Sequence, residues 1–197
     1  LAGKGVSLLT RESCRELTDW SFVRDEDNAV LATPMDWVGE NYYSVNRIAA
    51  VGISEIIAIG QDTSMFPACP PVSFAPRGEL TDMQWEVVPE GLLMALQQIK
   101  ESLPEVPVWI CENGIALPDG LEDPRRSDYL KSHIAAAIAS RSHGIDIRGY
   151  FAWSLVDNLE WASGWTKKFG IIRVDPKTGE RTPKDSARWY KALLNSR

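Results

Sequence analysis

Short unbroken apolar runs alternate along this chain with longer stretches in which apolar residues recur at helical spacing. The first segment, TRESCRELTDW (residues 10–20), has a helical pattern, and the charged VRDEDNA that follows has the composition of a connection. MDWVGENYYSV (35–45) has strand composition and ends in polar aromatics. VGISEIIAIG (51–60) alternates loosely and predicts an extra hairpin or a buried strand; residues 61–77 are rich in proline and predict a long loop.

Pro89 and Glu90 open the helical pattern PEGLLMALQQIKESL, with proline in the first turn and a carboxylate near the N-terminus. VWIC (108–111) predicts a buried strand, Asp123 and Pro124 begin a second helix that Gly144 closes, and RGYFAWSL (148–155) predicts a third strand. FGIIRVDPKTGERT predicts a hairpin turning at Lys177–Gly179, and Pro183 opens a last helix. Strands alternating with helices imply parallel pairing with helical crossovers, an α/β architecture whose functional groups gather at the C-terminal ends of strands. All three strands end in such groups: Asn41 and Tyr43, then Glu112, then Trp153 followed by Asp157 and Glu160.

Composition narrows the function classes. The 197 residues are 44% hydrophobic and 24% charged, as expected of a globular chain forming one domain or part of a larger one. With a net charge of −6 and scattered Lys and Arg, no nucleic acid or anionic membrane is expected as a partner. No apolar stretch is long enough to span a bilayer, and no signal pattern opens the chain. Three widely spaced cysteines without a CxxC pair suit reduced thiols in a cytoplasmic protein, and no metal or cofactor site is expected. Eight tryptophans point to a demanding core or a surface that stacks on ligands.

A carboxylate at the mouth of a strand is partly fenced from water on a rigid element, which suits a nucleophile or base; the plainer alternative is a strand-end salt bridge. The words around Glu112 favour the first. ENG after an apolar strand, NYYS on an earlier one and WSLVDNLEWASGWTKKFGI near the end resemble the glycoside hydrolase family 1, the β-glucosidase type. TDMQWEVVPEGL and DPKTGERTPKDSARWYKALL resemble stretches of the same family.

The resemblance implies a (β/α)8 TIM barrel, with this chain supplying roughly strands six to eight and their helices. It implies retaining hydrolysis with two glutamates about 5 Å apart. Glu112 then matches the nucleophile, preceded by Cys111 where the family usually has threonine. Tyr43 matches the tyrosine that donates to the nucleophile and favours its ionised form, and Asn41 the asparagine facing the sugar. Trp153 matches the platform under the sugar ring, Glu160 and Trp161 the pair that hydrogen-bonds sugar hydroxyls, and Phe169 the far wall of the pocket. Glu160 would repel a phosphate, so unphosphorylated β-glucosides or short β-linked oligosaccharides are the expected substrates, ahead of 6-phospho-β-glucosides.

The family's acid/base glutamate lies in an Asn-Glu-Pro motif, and no such motif occurs here. Residues 1–197 are therefore expected to be the C-terminal part of one barrel domain. The expected partner is the N-terminal half of the same enzyme, covalent or as a companion chain. Leu1, in place of Met, agrees with a processed or cut end. A non-catalytic carbohydrate-binding or degenerate fragment is the alternative. Glu40 departs from the family's apolar residue and by alternation faces the helix layer, away from Asn41 and Tyr43.

Overall fold

The computed structural model describes residues 8–49, 73–74 and 76–196. In chain order the elements are α1 (Leu8–Ser13), α2 (Asp27–Leu31), β1 (Val38–Asn41), β2 (Ile48–Ala49), β3 (Ser73–Phe74), α3 (Pro89–Ser102), β4 (Val108–Asn113), α4 (Pro124–Ser140), β5 (Ile147–Ala152), β6 (Ile172–Val174), β7 (Arg181–Pro183) and α5 (Asp185–Asn195). They fall into two compact units, the first within Leu1–Met35 and Asn46–Pro76, the second within Asp36–Val45 and Arg77–Arg197.

In the first unit the helix expected over residues 10–20 stops at Ser13. The Trp20 N–H donates to the Thr18 hydroxyl at 3.0 Å and the Ser21 N–H to the Asp19 carboxylate at 2.9 Å. Such local bonds offer the backbone an alternative to the helical ladder, and here they win. The expected connection instead holds α2, and the expected long loop contains β3, which pairs antiparallel with β2. The hairpin or strand expected at 51–60 lies outside the described residues.

The second unit is built on a parallel sheet of order β1-β4-β5, with α3 leading into β4 and α4 crossing from β4 to β5. Alternate residues explain its two faces. Val108 and Ile110 are buried with Leu92 and Leu96 of α3 and Ala137 of α4, forming the core between sheet and helices. A second cluster joins Ile115, Leu117, Tyr129, Leu130 and Ile171. The opposite face presents Trp109, Cys111 and Phe151, which with Trp37 line an open apolar hollow of about 340 Å³. Glu40 lies on the Val38 side, toward the helices as alternation requires; burial raises its pKa, and no basic partner pairs with it among the described residues.

Gly144, at φ 74°, ends the turn after α4 in the left-handed region that glycine tolerates best. β6 and β7 form the expected hairpin. The last helix starts at Asp185, because Pro183 closes β7 and Lys184 is extended. Lys184 is fully buried and donates to Asp157 at 3.0 Å. Beside it Arg126, also buried, donates to Asp123 at 2.7 Å and to the carbonyls of Ile115, Phe169 and Lys168. Asp123 also accepts from the Ser186 N–H and hydroxyl. This buried ionic group ties the segments following β4 and β5 to the start of α5.

Candidate active site

β4 carries one residue more than either neighbour near its end. Glu40 pairs with Ile110 but Asn41 with Glu112, and Tyr150 pairs with Ile110 but Ala152 with Asn113. A bulge of this kind interrupts period-two alternation. Cys111 and Glu112 are accordingly both half-buried, while Val108, Ile110 and Asn113 are buried. The strand extends through Asn113, so Glu112 sits within the last turn of the pleat and not beyond it.

The bulge brings Glu112 to Tyr43, whose hydroxyl donates to Glu112 Oε2 at 2.6 Å. Tyr42 points the other way, buried, with its hydroxyl on the Val88 carbonyl at 2.5 Å. Burial, the bond to Glu112 and the charges of Glu112 and Glu160 all push the Tyr43 pKa upward, so the phenol stays a donor across the accessible pH range. Asn41 is exposed at the end of β1, in register with Glu112.

Trp153 follows β5, and the Trp153 N–H donates to the Asn113 carbonyl at 2.8 Å. Gly114 makes this approach possible: a Cβ there would lie 1.7 Å from the Trp153 carbonyl oxygen, an overlap that only glycine avoids. The Trp153 indole N–H reaches Glu160 at 3.4 Å. Burial raises the Glu160 pKa, with the nearby Glu112 charge adding to it and the indole N–H opposing it. Asp157, three residues earlier, is buried on Lys184 and also accepts the Gly170 N–H, which removes it from any role as an exposed acid.

Phe169 is buried and meets Tyr43 edge-on at 5.9 Å between centroids. Trp161, next to Glu160, is 93% exposed. The structure thus gathers Glu112, Tyr43, Trp153, Glu160 and Phe169, with Asn41 adjacent by register. Two neighbours escaped the sequence reading. Trp85 packs 5.4 Å from Tyr43 and 6.1 Å from Phe169, and its signal lay in TDMQWEVV. Asn113, inside the ENG word itself, is fully buried and bonded to Tyr42 after β1, to Tyr129 of α4 and to Tyr150 of β5.

Carboxylates, a tyrosine and an indole gather at the C-terminal ends of parallel strands, where α/β barrels carry their active sites. The profile described as Glycosyl hydrolase family 1 matches residues 7–197. The chain belongs to glycosyl hydrolase family 1. It is 38% identical over 191 residues to a bifunctional β-D-glucosidase/β-D-fucosidase of Bifidobacterium breve, covering 90% of this chain and 41% of that protein. It is 38% identical over 179 residues to β-glucosidase A of Thermotoga maritima, covering 87% and 37%. The structure of the Thermotoga maritima β-glucosidase in complex with castanospermine superposes with a TM-score of 0.80 at 35% identity, covering 98% of this chain and 42% of that one. The chain therefore spans about two fifths of the relatives it matches, and β1, β4 and β5 correspond roughly to barrel strands six to eight.

Proposed function

We propose that this chain carries the nucleophile side of a retaining β-glycosidase that hydrolyses terminal β-D-glucosyl residues from unphosphorylated β-glucosides or short β-linked oligosaccharides. The observation that carries the reading is the 2.6 Å bond from Tyr43 to Glu112, with Glu160 and Trp153 beside it. A single hydroxyl donor stabilises the carboxylate as an anion while leaving Oε1 free for attack.

Glu112 attacks the anomeric carbon and forms a glycosyl ester as the aglycone oxygen departs with a proton from the acid. Water, deprotonated by the same group acting as base, then attacks the anomeric carbon and frees Glu112. The acid/base glutamate comes from the remaining five strands, an N-terminal stretch that is either joined to this chain or a companion to it. Trp153 lies under the sugar ring, Glu160 accepts from its hydroxyls with Asn41 and Trp161 at the rim, and Phe169 backs Tyr43. Glu160 also disfavours a phosphorylated sugar, because like charges repel strongly where water is scarce.

Incubating the complete barrel with a 2-fluoro β-glucoside and mapping the labelled peptide tests this. The label is expected on Glu112 alone; a label on Asp157 or Glu160 refutes the assignment.

A further inference from the structure

A polar residue next to a nucleophile is ordinarily expected to reach the substrate. Asn113 does not: it is fully buried, and its side-chain amide is used entirely inside the protein. The NH2 group donates to the Tyr42 carbonyl at 2.7 Å and to the Tyr129 hydroxyl at 3.1 Å. The amide oxygen accepts from the Tyr150 hydroxyl at 2.5 Å. The orientation is fixed by chemistry, since the Tyr42 carbonyl can only accept and must face the NH2 group. Tyr129 in turn donates to the Tyr43 carbonyl at 3.2 Å. Both carbonyls that flank the Tyr43 backbone are thus held, one directly and one through Tyr129. The Tyr42 N–H is held as well, by the Glu112 carbonyl at 2.9 Å.

We propose that Asn113 is a positioning residue for the reaction: with Tyr129 as its relay, it fixes the peptide planes around Tyr43 and so aims that hydroxyl at Glu112. A tyrosine ring turns about its own Cα–Cβ bond, so its hydroxyl is placed by the backbone that carries it. Without Asn113 the Tyr42 carbonyl loses its side-chain donor and Tyr129 loses the bond that orients it toward the Tyr43 carbonyl, and the Tyr43 bond to Glu112 lengthens. The same residue's carbonyl holds the Trp153 N–H, so the floor of the sugar site is set from the same point.

This rests on the retaining-glycosidase reading, and the test separates the two. In the complete barrel, Asn113→Asp keeps the acceptor for Tyr150 and loses the NH2 donor; Tyr129→Phe removes only the relay. The Tyr43 hydroxyl proton, assigned by its loss in Tyr43→Phe, is read by proton NMR in each variant. The acidic limb of kcat/KM on an aryl β-glucoside is read in parallel. The expected result is an upfield shift or loss of the hydroxyl resonance and an acidic limb raised by about half to one pH unit. The limb should not move further when Asn113→Asp is combined with Tyr43→Phe. A folded Asn113→Asp variant with an unchanged hydroxyl resonance and an unmoved limb overturns the proposal, whatever its loss of stability. If Asn113→Asp does not fold, Tyr129→Phe decides by the same two readouts. If the unmodified barrel cleaves no β-glucoside, the functional reading fails, and the hydroxyl resonance still judges the role of Asn113.

Discussion

Glu160 shares its surroundings with Glu112 and feels its charge. Burial is the larger cause of the raised Glu160 pKa, and the charge of Glu112 adds to it. A raised pKa means that the neutral acid persists to higher pH than in an ordinary glutamate. Binding of an uncharged glucoside analogue to the complete barrel should therefore weaken as pH falls, beginning above the usual carboxylate range. Glu160→Gln should abolish that pH dependence and weaken binding roughly ten- to a hundredfold, since charge-assisted hydrogen bonds are lost. In Glu112→Gln the transition should move to lower pH, because the repelling charge is gone. Calorimetric titration across pH 4–7 measures both; a transition that ignores Glu112→Gln would show that the two carboxylates do not communicate.

At the level of elements, α4 carries a pH-dependent contribution to stability through His133. His133 is fully buried and stacked on Tyr129 at 3.8 Å; its Nδ1 bonds the Tyr129 carbonyl, and its Nε2 has no partner among the described residues. Burial lowers its pKa to about 4. The unfolded chain takes up a proton near pH 6.5, so this stability is fully present above that pH and drains away as pH falls toward 4, by up to about 3 kcal/mol. Chemical denaturation of the complete barrel at pH 7 and pH 4.5 should show the loss, and His133→Phe should flatten it.

The helices α3 and α4 were legible because apolar spacing and first-turn prolines agree, and the ENG and NYYS words pointed to Glu112 and Tyr43 where the broken alternation of β4 would not have. The short α1 was not, since hydroxyl and carboxylate side chains at Thr18 and Asp19 compete with a helix without disturbing its periodicity. Asn113 was passed over because a polar residue at a strand end looks the same whether it faces sugar or core. The buried Lys184–Asp157 and Arg126–Asp123 pairs unite positions far apart in the chain, which no local pattern records.

For the whole molecule, the sheet's inner face decides behaviour in solution. Trp37 and Phe151 are each more than half exposed on that face, and among the described residues β1 and β5 pair on one side only. Unpaired strand edges and bare apolar hollows attract other chains. Residues 1–197 alone should bind a hydrophobic dye, associate and leave β-glucosides intact. Adding the N-terminal strands should suppress dye binding and restore hydrolysis. Dye fluorescence, light scattering and an aryl β-glucoside assay test this together; a monomeric and active isolated chain would place the acid within these residues.

The extra residue in β4 turns catalysis into a matter of parity. Up to Ile110 an even number belongs to the helix side, and the bulge is what returns Glu112 to the side of the sheet where Tyr43 waits. Cys111 contributes no chemistry that the reaction needs, but were the strand regular from Ile110 onward, with every residue kept, the parity at 112 would be wrong. The glutamate would keep its identity, its neighbours in sequence and its place at the end of the strand, and it would then point where Val108 and Ile110 point, into oil. The site therefore depends on the irregularity of the strand between Ile110 and Asn113 as much as on the carboxylate it delivers.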